Sequence, residues 1–157
     1  MTTRRLRVLY CLLSGTGLLL VIAGSFLPWV ISGSVHRSSY AVVGVADRLG
    51  FGRDGVIGAL ITGWPLFGVL CMTPVIAAVL RRWRLAGVLA ILIAVTAAAV
   101  SFGILWVAIG RVGLTVRLDP VGPSVMAAGS LLLLGGGLGL AFKLYSPVRT
   151  QKHSTKR

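Results

Sequence analysis

Arg81-Arg82-Trp83-Arg84 divides the chain, a basic run with a long apolar stretch on either side. A second run of the same form, Arg4-Arg5-Leu6-Arg7, opens the sequence. A tryptophan stands 22 positions beyond the last arginine of each run, Trp29 after Arg7 and Trp106 after Arg84. At 1.5 Å per helical residue that spacing covers about 33 Å, close to the thickness of a bilayer's hydrocarbon core. Each run therefore reads as one end of a membrane crossing, and the rest of the chain is placed by that reading.

Four stretches, near 8–30, 56–80, 85–109 and 122–142, contain no charged or histidine side chain, and each is long enough to cross as a helix. The 157 residues are 56% hydrophobic and 12% charged, with a mean hydropathy of +0.93. This is far from the soluble norm and leaves room for one domain, 1–157. The expected fold is an all-α membrane protein of four transmembrane helices. The apolar segment after Arg4-Arg5 also has the outline of a signal peptide, with Ala23-Gly24-Ser25 as a small-residue cleavage site. However, Phe26-Leu27-Pro28-Trp29-Val30-Ile31 extends the run to spanning length, so an uncleaved first span is expected.

The distribution of charge sets the orientation. Arg4, Arg5, Arg7, Arg81, Arg82, Arg84, Lys143, Arg149, Lys152, Lys156 and Arg157 fall at one set of helix ends. Arg37, Arg48, Arg53, Arg111 and Arg117 fall at the other, together with all three acids, Asp47, Asp54 and Asp119. By the positive-inside rule the richer side is cytoplasmic. Both termini are then inside, two loops are outside, and residues 143–157 form a basic cytoplasmic tail. In a soluble protein the net charge of +13 would point to nucleic acid. Here topology and the attraction of anionic lipid headgroups account for it, so the expected partners are the bilayer and its anionic lipids, with no nucleic acid. Arginine outnumbers lysine 13 to 3, a composition associated with GC-rich bacterial genomes, which makes a bacterial cytoplasmic membrane the expected location.

Lipid supplies no hydrophobic drive between helices, so small residues that permit close approach mark the contacts. Three such strips are present: Ala86, Ala90, Ala94 and Ala98 in the third span, Gly55, Ala59 and Gly63 in the second, and Gly135 with Gly139 in the fourth. They suit packing within the chain, against another membrane protein, or against a second copy. Pro65 and Pro74 predict a kinked second helix. No polar side chain beside either proline is expected to take up a freed carbonyl, which favours a role in shape over a site. Trp29, Trp83 and Trp106 are expected as interfacial anchors.

The first outer loop, about 31–55, is the longest polar stretch. Ser38-Ser39 can cap a short helix whose Val42, Val45, Ala46 and Leu49 share a face and which Gly50 ends. Asp54 can cap the second span. In the second loop Val112, Leu114, Val116 and Leu118 alternate with Gly113, Thr115, Arg117 and Asp119, the period of a half-covered strand. A lone strand leaves its backbone unpaired, so pairing with Val30-Ile31-Ser32-Gly33-Ser34-Val35 is expected, giving an outer cap of one short helix and a two-stranded β pairing. Asp119-Pro120 opens the fourth span as cap and first helical residue.

Residues for chemistry are few. The spans offer only hydroxyls, with no ionisable group at membrane depth, so a proton-coupled transporter is not expected. His36, Ser38, Ser39 and Asp47 supply the letters of a hydrolytic triad without a nucleophile elbow. His36 and His153 fall on opposite sides of the membrane, and both cysteines, Cys11 and Cys71, lie in spans, which leaves no metal site. No catalytic residue and no cofactor is expected. Arg37, Tyr40, Arg48 and Arg53, with Phe51, could meet an anionic headgroup or a glycan at the outer surface. The competing reading pairs Arg48 and Arg53 with Asp47 and Asp54.

An offset of 77 residues superposes the two arginine runs and the two tryptophans. That is either a two-helix duplication or the spacing that bilayer thickness imposes on any pair of crossings. Four spans, termini inside, an early tryptophan in a longer first outer loop and a strand in the second resemble the arrangement of claudins. The resemblance is one of architecture. This loop has Trp29 but neither the Gly-Leu-Trp nor the cysteine pair of claudins, so no further residue role carries over. The composition and the Phe-Leu-Pro-Trp-Val opening are also similar to small uncharacterised four-span proteins of actinobacteria, which implies no activity. The function expected from all this is a non-enzymatic accessory or scaffold protein packing against larger membrane machinery, in cell-envelope biogenesis for example. The alternative is a small oligomeric transporter or lipid-handling protein.

Overall fold

The computed structural model describes residues 3–32, 35–48, 55–110 and 116–142. Its elements run α1 (Thr3–Phe26), β1 (Pro28–Ser32), β2 (Val35–Ser38), α2 (Ser39–Arg48), α3 (Gly55–Leu70), α4 (Thr73–Val79), α5 (Trp83–Gly110), β3 (Val116–Leu118) and α6 (Val121–Phe142). Four segments are long and apolar enough to cross a membrane: Arg5–Phe26, Thr62–Val79, Trp83–Trp106 and Val121–Phe142. They carry the small sheet and α2 at one end, the cap end. The arginine runs lie at the other, the basic end. The tail expected at 143–157, Asp54 and Arg53 lie outside the described residues.

The first helix is shorter than its apolar run. Leu27 makes the last backbone bond of the helical kind, to the Ala23 carbonyl at 3.1 Å. Pro28 has no N–H to continue the ladder and disfavours helix at the residue before it, so the chain leaves α1 and enters β1. The expected span 8–30 therefore ends at Phe26, and residues 28–30 belong to the cap.

α1 and α6 make the tightest contact in the fold, and it follows a seven-residue rhythm. On α6, Gly122, Met126, Gly129, Leu133, Gly136 and Leu140 are all buried, at alternating spacings of four and three. On α1, Gly17, Val21 and Gly24 face them. A Cβ on Gly129 would stand 2.7 Å from the Val21 backbone N, and one on Gly24 would stand 2.6 Å from the Met126 N. At Gly17 and Gly136 it would collide with the Leu133 backbone N and the Ser14 side chain. Positions rise along α1 as they fall along α6, so the helices are antiparallel. Backbones this close gain dispersion contact that bulkier side chains would forbid.

α6 also packs against α5, so it lies between α1 and α5, while α4 leans on α5. Gly87 approaches the Gly137 carbonyl, where a Cβ would come to 2.9 Å. Of the alanine strip, Ala86, Ala90 and Ala94 are buried and Ala98 is half-buried. The other two strips fare differently. Gly139 meets the Tyr10 ring, but Gly135 is exposed and touches only Leu13. On α3, Ala59 is exposed and a Cβ on Gly63 would meet nothing within 4 Å, so this strip packs on nothing among the described residues; the side-chain surroundings of Gly55 lie outside them.

The second crossing is broken rather than bent. α3 ends at Leu70, Cys71-Met72 form a turn, and α4 starts at Thr73. Pro74 cannot donate to the Leu70 carbonyl four residues back. Thr73 Oγ1 donates to that carbonyl instead, at 2.7 Å. This corrects the expectation that no polar side chain beside the prolines would take up a freed carbonyl. Pro65 sits inside α3 without ending it.

The two loops pair as expected, with Val30 opposite Leu118 and Ser32 opposite Val116. The sheet has a third member: β2 pairs with β1 on its other side, giving the order β2-β1-β3, all antiparallel. At the fourth span Asp119 Oδ1 accepts the Val121 N–H at 3.0 Å, holding the first turn of α6.

The seam yields a direct test. Gly129→Leu forces the α1 and α6 backbones apart and lowers stability by about 1–3 kcal/mol, as overpacking does in other tight cores. Gly63→Leu, with open space around it, leaves stability unchanged. Denaturing-detergent titration of the two purified variants, followed by circular dichroism, distinguishes them.

Candidate functional site

Three places in the molecule gather side chains that could act on something else: the junction beneath the cap, the outward face of α3, and the basic end.

At the junction, β1 carries a bulge. Pro28 faces Ser38 and Val30 faces Arg37, leaving Trp29 as the extra residue. A bulge re-aims a side chain, and here the Trp29 indole turns inward and is only 3% exposed. Its Nε1 donates to the Gly24 carbonyl at 2.8 Å, and its ring lies against Gly122, where a Cβ would come to 2.5 Å from Nε1. Trp29 is thus a core residue, and burial removes it from the interfacial role expected for it. Ser39, expected to cap α2, instead donates to the Ser25 carbonyl at 2.6 Å and accepts from Trp64 Nε1 at 3.1 Å. The last-turn carbonyls of α1, which a helix cannot satisfy itself, are met in this way by an indole and a serine from the cap. Trp64 meets Trp29 edge-on at 6.2 Å and stacks on Phe67 at 5.0 Å. The junction ties α1, β1, α2 and α3 together, and its groups are committed to one another.

Of the residues expected at the outer surface, the side chains of Arg37 and Tyr40 are among those described. Arg37 lies in β2. The Tyr40 ring packs on Phe26 at 5.1 Å, and a Cβ on Gly68 would reach its hydroxyl at 3.4 Å, so Tyr40 is part of the junction wall. The Arg48 side chain and Arg53 lie outside the described residues. Among the triad letters, His36 is exposed on β2, Ser39 is buried with both its bonds made, and the Asp47 side chain is outside the described residues. Among the described residues no group of histidine, cysteine and acidic side chains could hold a metal ion. Cys11 and Cys71 are free thiols.

The face of α3 around Ala59, Thr62 and Leu66 is exposed, while Trp64 across the helix and Phe67, one turn past Gly63, reach the core. α3 therefore holds to its own chain by large aromatics and leaves its small residues outside.

At the basic end the two arginine runs converge. Arg7 Cζ stands 5.9 Å from the centre of the Trp83 ring, within cation–π range. Arg7, Arg81, Arg82, Trp83, Arg84 and Leu85 line one shallow depression. Trp83, expected as an anchor, is a half-buried wall of it, whereas Trp106 at the far end of α5 is 81% exposed. The α4–α5 turn closes with Arg82 N bonded to the Ala77 carbonyl and Arg81 N to the Ala78 carbonyl, a Schellman motif. Arg81 occupies the left-handed position at φ 57°, where glycine is usual. One turn deeper, a cleft of about 220 Å³ opens beside α1 and α4, lined by Cys11, Gly15, Leu18, Val75, Ala78 and Ala86 among others. Its walls are low because so many of these residues are small. Ser14 also lines it, and the Ser14 and Ser101 hydroxyls are buried without a hydrogen-bond partner among the described residues.

Comparison with protein-family models, with curated proteins and with solved structures found no match to this chain.

Two substitutions test this geometry. Ser39→Ala strands the Trp64 N–H and the Ser25 carbonyl, a loss of about 1–3 kcal/mol for buried polar groups. It also shifts the tryptophan emission, whereas Ser124→Ala, at an exposed position on α6, leaves it unchanged. Arg81→Gly relieves the left-handed backbone and raises stability by about 1 kcal/mol in the same detergent titration.

Proposed function

We propose that the protein is a non-enzymatic accessory subunit of a bacterial cytoplasmic membrane, with the basic end and both termini cytoplasmic, that packs against a larger membrane protein through the outward face of α3. The observation that carries this reading is the small-residue strip left uncovered there. Ala59 is exposed and Gly63 has open space where a Cβ would stand, in a helix whose aromatic side is already anchored to its own core. Small residues four apart are what close helix contact in lipid uses. The chain's own seams use theirs in that way, at Gly129 and Gly137 for example. The α3 strip is the same device without an occupant among the described residues. A role in cell-envelope assembly fits a subunit with an ordered outer cap and a basic inner surface.

A second reading, a small oligomeric transporter or lipid-handling protein, draws support from the cleft beside the broken second crossing. Substitution of Trp64, Pro65 and Pro74 separates the two, since a transporter loses flux and a scaffold loses assembly.

The test of the first reading is purification of the tagged protein from its native membrane in mild detergent, with mass spectrometry of what accompanies it. A stoichiometric larger membrane partner is expected, and it is lost at least about ten-fold in an Ala59→Phe, Gly63→Phe variant that still folds, as expected when a close helix contact is blocked. A clean monomer or homo-oligomer contradicts the proposal, as does a partner retained by the variant.

A further inference from the structure

We infer that the basic end is a binding site for one anionic phospholipid, its phosphate held among Arg7, Arg81 and Arg82 and one acyl chain lying in the cleft beside α1 and α4. The inference does not depend on the accessory role proposed above, because it uses a different face of the molecule.

Charge is the first argument. Arg7, Arg81 and Arg82 line one depression, and the sequence has no acidic residue from 1 to 46 or from 55 to 118. Guanidinium groups grip phosphate oxygens with paired donors, so a phosphodiester suits this set better than a diffuse negative surface does. The N-terminus of α5 opens into the same depression at Trp83 and Leu85. First-turn N–H groups lack acceptors in their own helix, and the helix dipole adds partial positive charge there.

Position is the second argument. The headgroup depression and the apolar cleft adjoin along α1 and at the α4–α5 turn. Cys11 of the cleft lies four residues below Arg7 on α1, Ala78 four residues before Arg82, and Ala86 four residues after it. On α1 the separation is one helical turn, about 6 Å along the axis, whereas Arg82 lies in the turn that closes α4, with Ala78 and Ala86 in the helical turns on either side of it. A ligand that fills both must be anionic at one end and apolar at the other, with the apolar part running toward the membrane interior.

The shape of the cleft narrows the chemistry further. At about 220 Å³ it is smaller than the roughly 300–1,000 Å³ of drug-sized pockets. Apart from Ser14 its lining is apolar or thiol, which suits a flexible hydrocarbon chain better than a polar metabolite. Val75, at its edge, is 45% exposed, so a lipid can enter sideways from the bilayer. The small side chains of Gly15, Ala78 and Ala86 leave the space open. Arg81 fits the same picture. A glycine would relax the turn, and arginine at φ 57° places one more cation beside the depression at a cost in backbone energy.

Native mass spectrometry of the full chain in detergent, with added phosphatidylglycerol, phosphatidylcholine or soluble glycerol 3-phosphate, tests the inference. Wild type is expected to retain one phosphatidylglycerol at least about ten-fold more tightly than phosphatidylcholine, and to bind glycerol 3-phosphate weakly. Arg7→Gln lowers phosphatidylglycerol affinity about ten-fold, the loss expected for one charge-assisted contact. Arg81→Gly lowers it too while raising stability, opposite signs that misfolding cannot produce. Gly15→Leu fills the cleft from a position where a Cβ meets nothing within 4 Å, and it blocks lipid but not glycerol 3-phosphate. Should that variant fail to fold, Val75→Trp at the exposed edge serves the same purpose. Equal retention of the two lipids overturns the proposal. So does unchanged affinity in the arginine variants. Glycerol 3-phosphate binding as tightly as lipid, with the cleft-filling variants silent, shows a free-phosphate site and also overturns it.

Discussion

The close approach of α1 and α6 is the constraint on which the rest of this structure depends. Water drives apolar surfaces together, but two apolar helices in lipid gain nothing by that route, and contact has to come from fit. Gly17 and Gly24 on one helix and Gly122, Gly129 and Gly136 on the other remove the side chains that would keep the backbones apart. Met126, Leu133 and Val21 then fill the space between, each at 1% exposure or less. Every other element is placed by this seam. It brings β1 to the top of α6, where Gly122 admits the Trp29 ring, and it brings Tyr10 against Gly139 near the opposite end.

The cap is joined to the seam by hydrogen bonds that a bare helix end would lack. In a membrane protein an unsatisfied carbonyl near the apolar region is costly, so the end of α1 needs partners from elsewhere in the chain. Trp29 and Ser39 supply them, and Trp64 completes the line from α3. A single set of contacts thus fixes where the loops of the cap sit and where the second crossing begins. Because α3 is held through its aromatic side, its small-residue side is left outward, and that is the basis of the accessory reading. The basic end follows from the same frame. α1 and α5 flank α6, which brings Arg7 over Trp83 although 76 residues separate them in sequence.

Much of this was legible in the sequence where one residue type has one cheap solution. Uncharged stretches of spanning length gave the four crossings, the alternation around Val116–Leu118 gave the pairing of the two loops, and the alanine period marked a face that is buried at Ala86, Ala90 and Ala94. The misses share a cause, which is that tertiary neighbours decided between two local solutions. Trp29 reads as an interfacial aromatic until a bulge turns it inward. Ser39 reads as a cap until a carbonyl and an indole compete for its hydroxyl. Pro74 frees the Leu70 carbonyl, and the neighbouring Thr73 hydroxyl takes it up. Glycine strips are the most ambiguous of all. Gly135 stands exposed one residue from Gly136, which is buried against Ser14. The signal that separates them is the seven-residue spacing of Gly122, Gly129 and Gly136, longer in reach than the local GxxxG of Gly135 and Gly139.

Cysteine cross-linking in native membranes tests the antiparallel α1–α6 seam most directly. In a Cys11→Ser, Cys71→Ser background, Leu13→Cys is paired with Gly135→Cys, where an added Cβ lies 3.6 Å from the Leu13 side chain, or with Leu131→Cys one turn away. Rapid oxidation to an intramolecular disulfide is expected for the first pair and little for the second. Preferential cross-linking of the Leu131 pair, or cross-links only between separate chains, would contradict it.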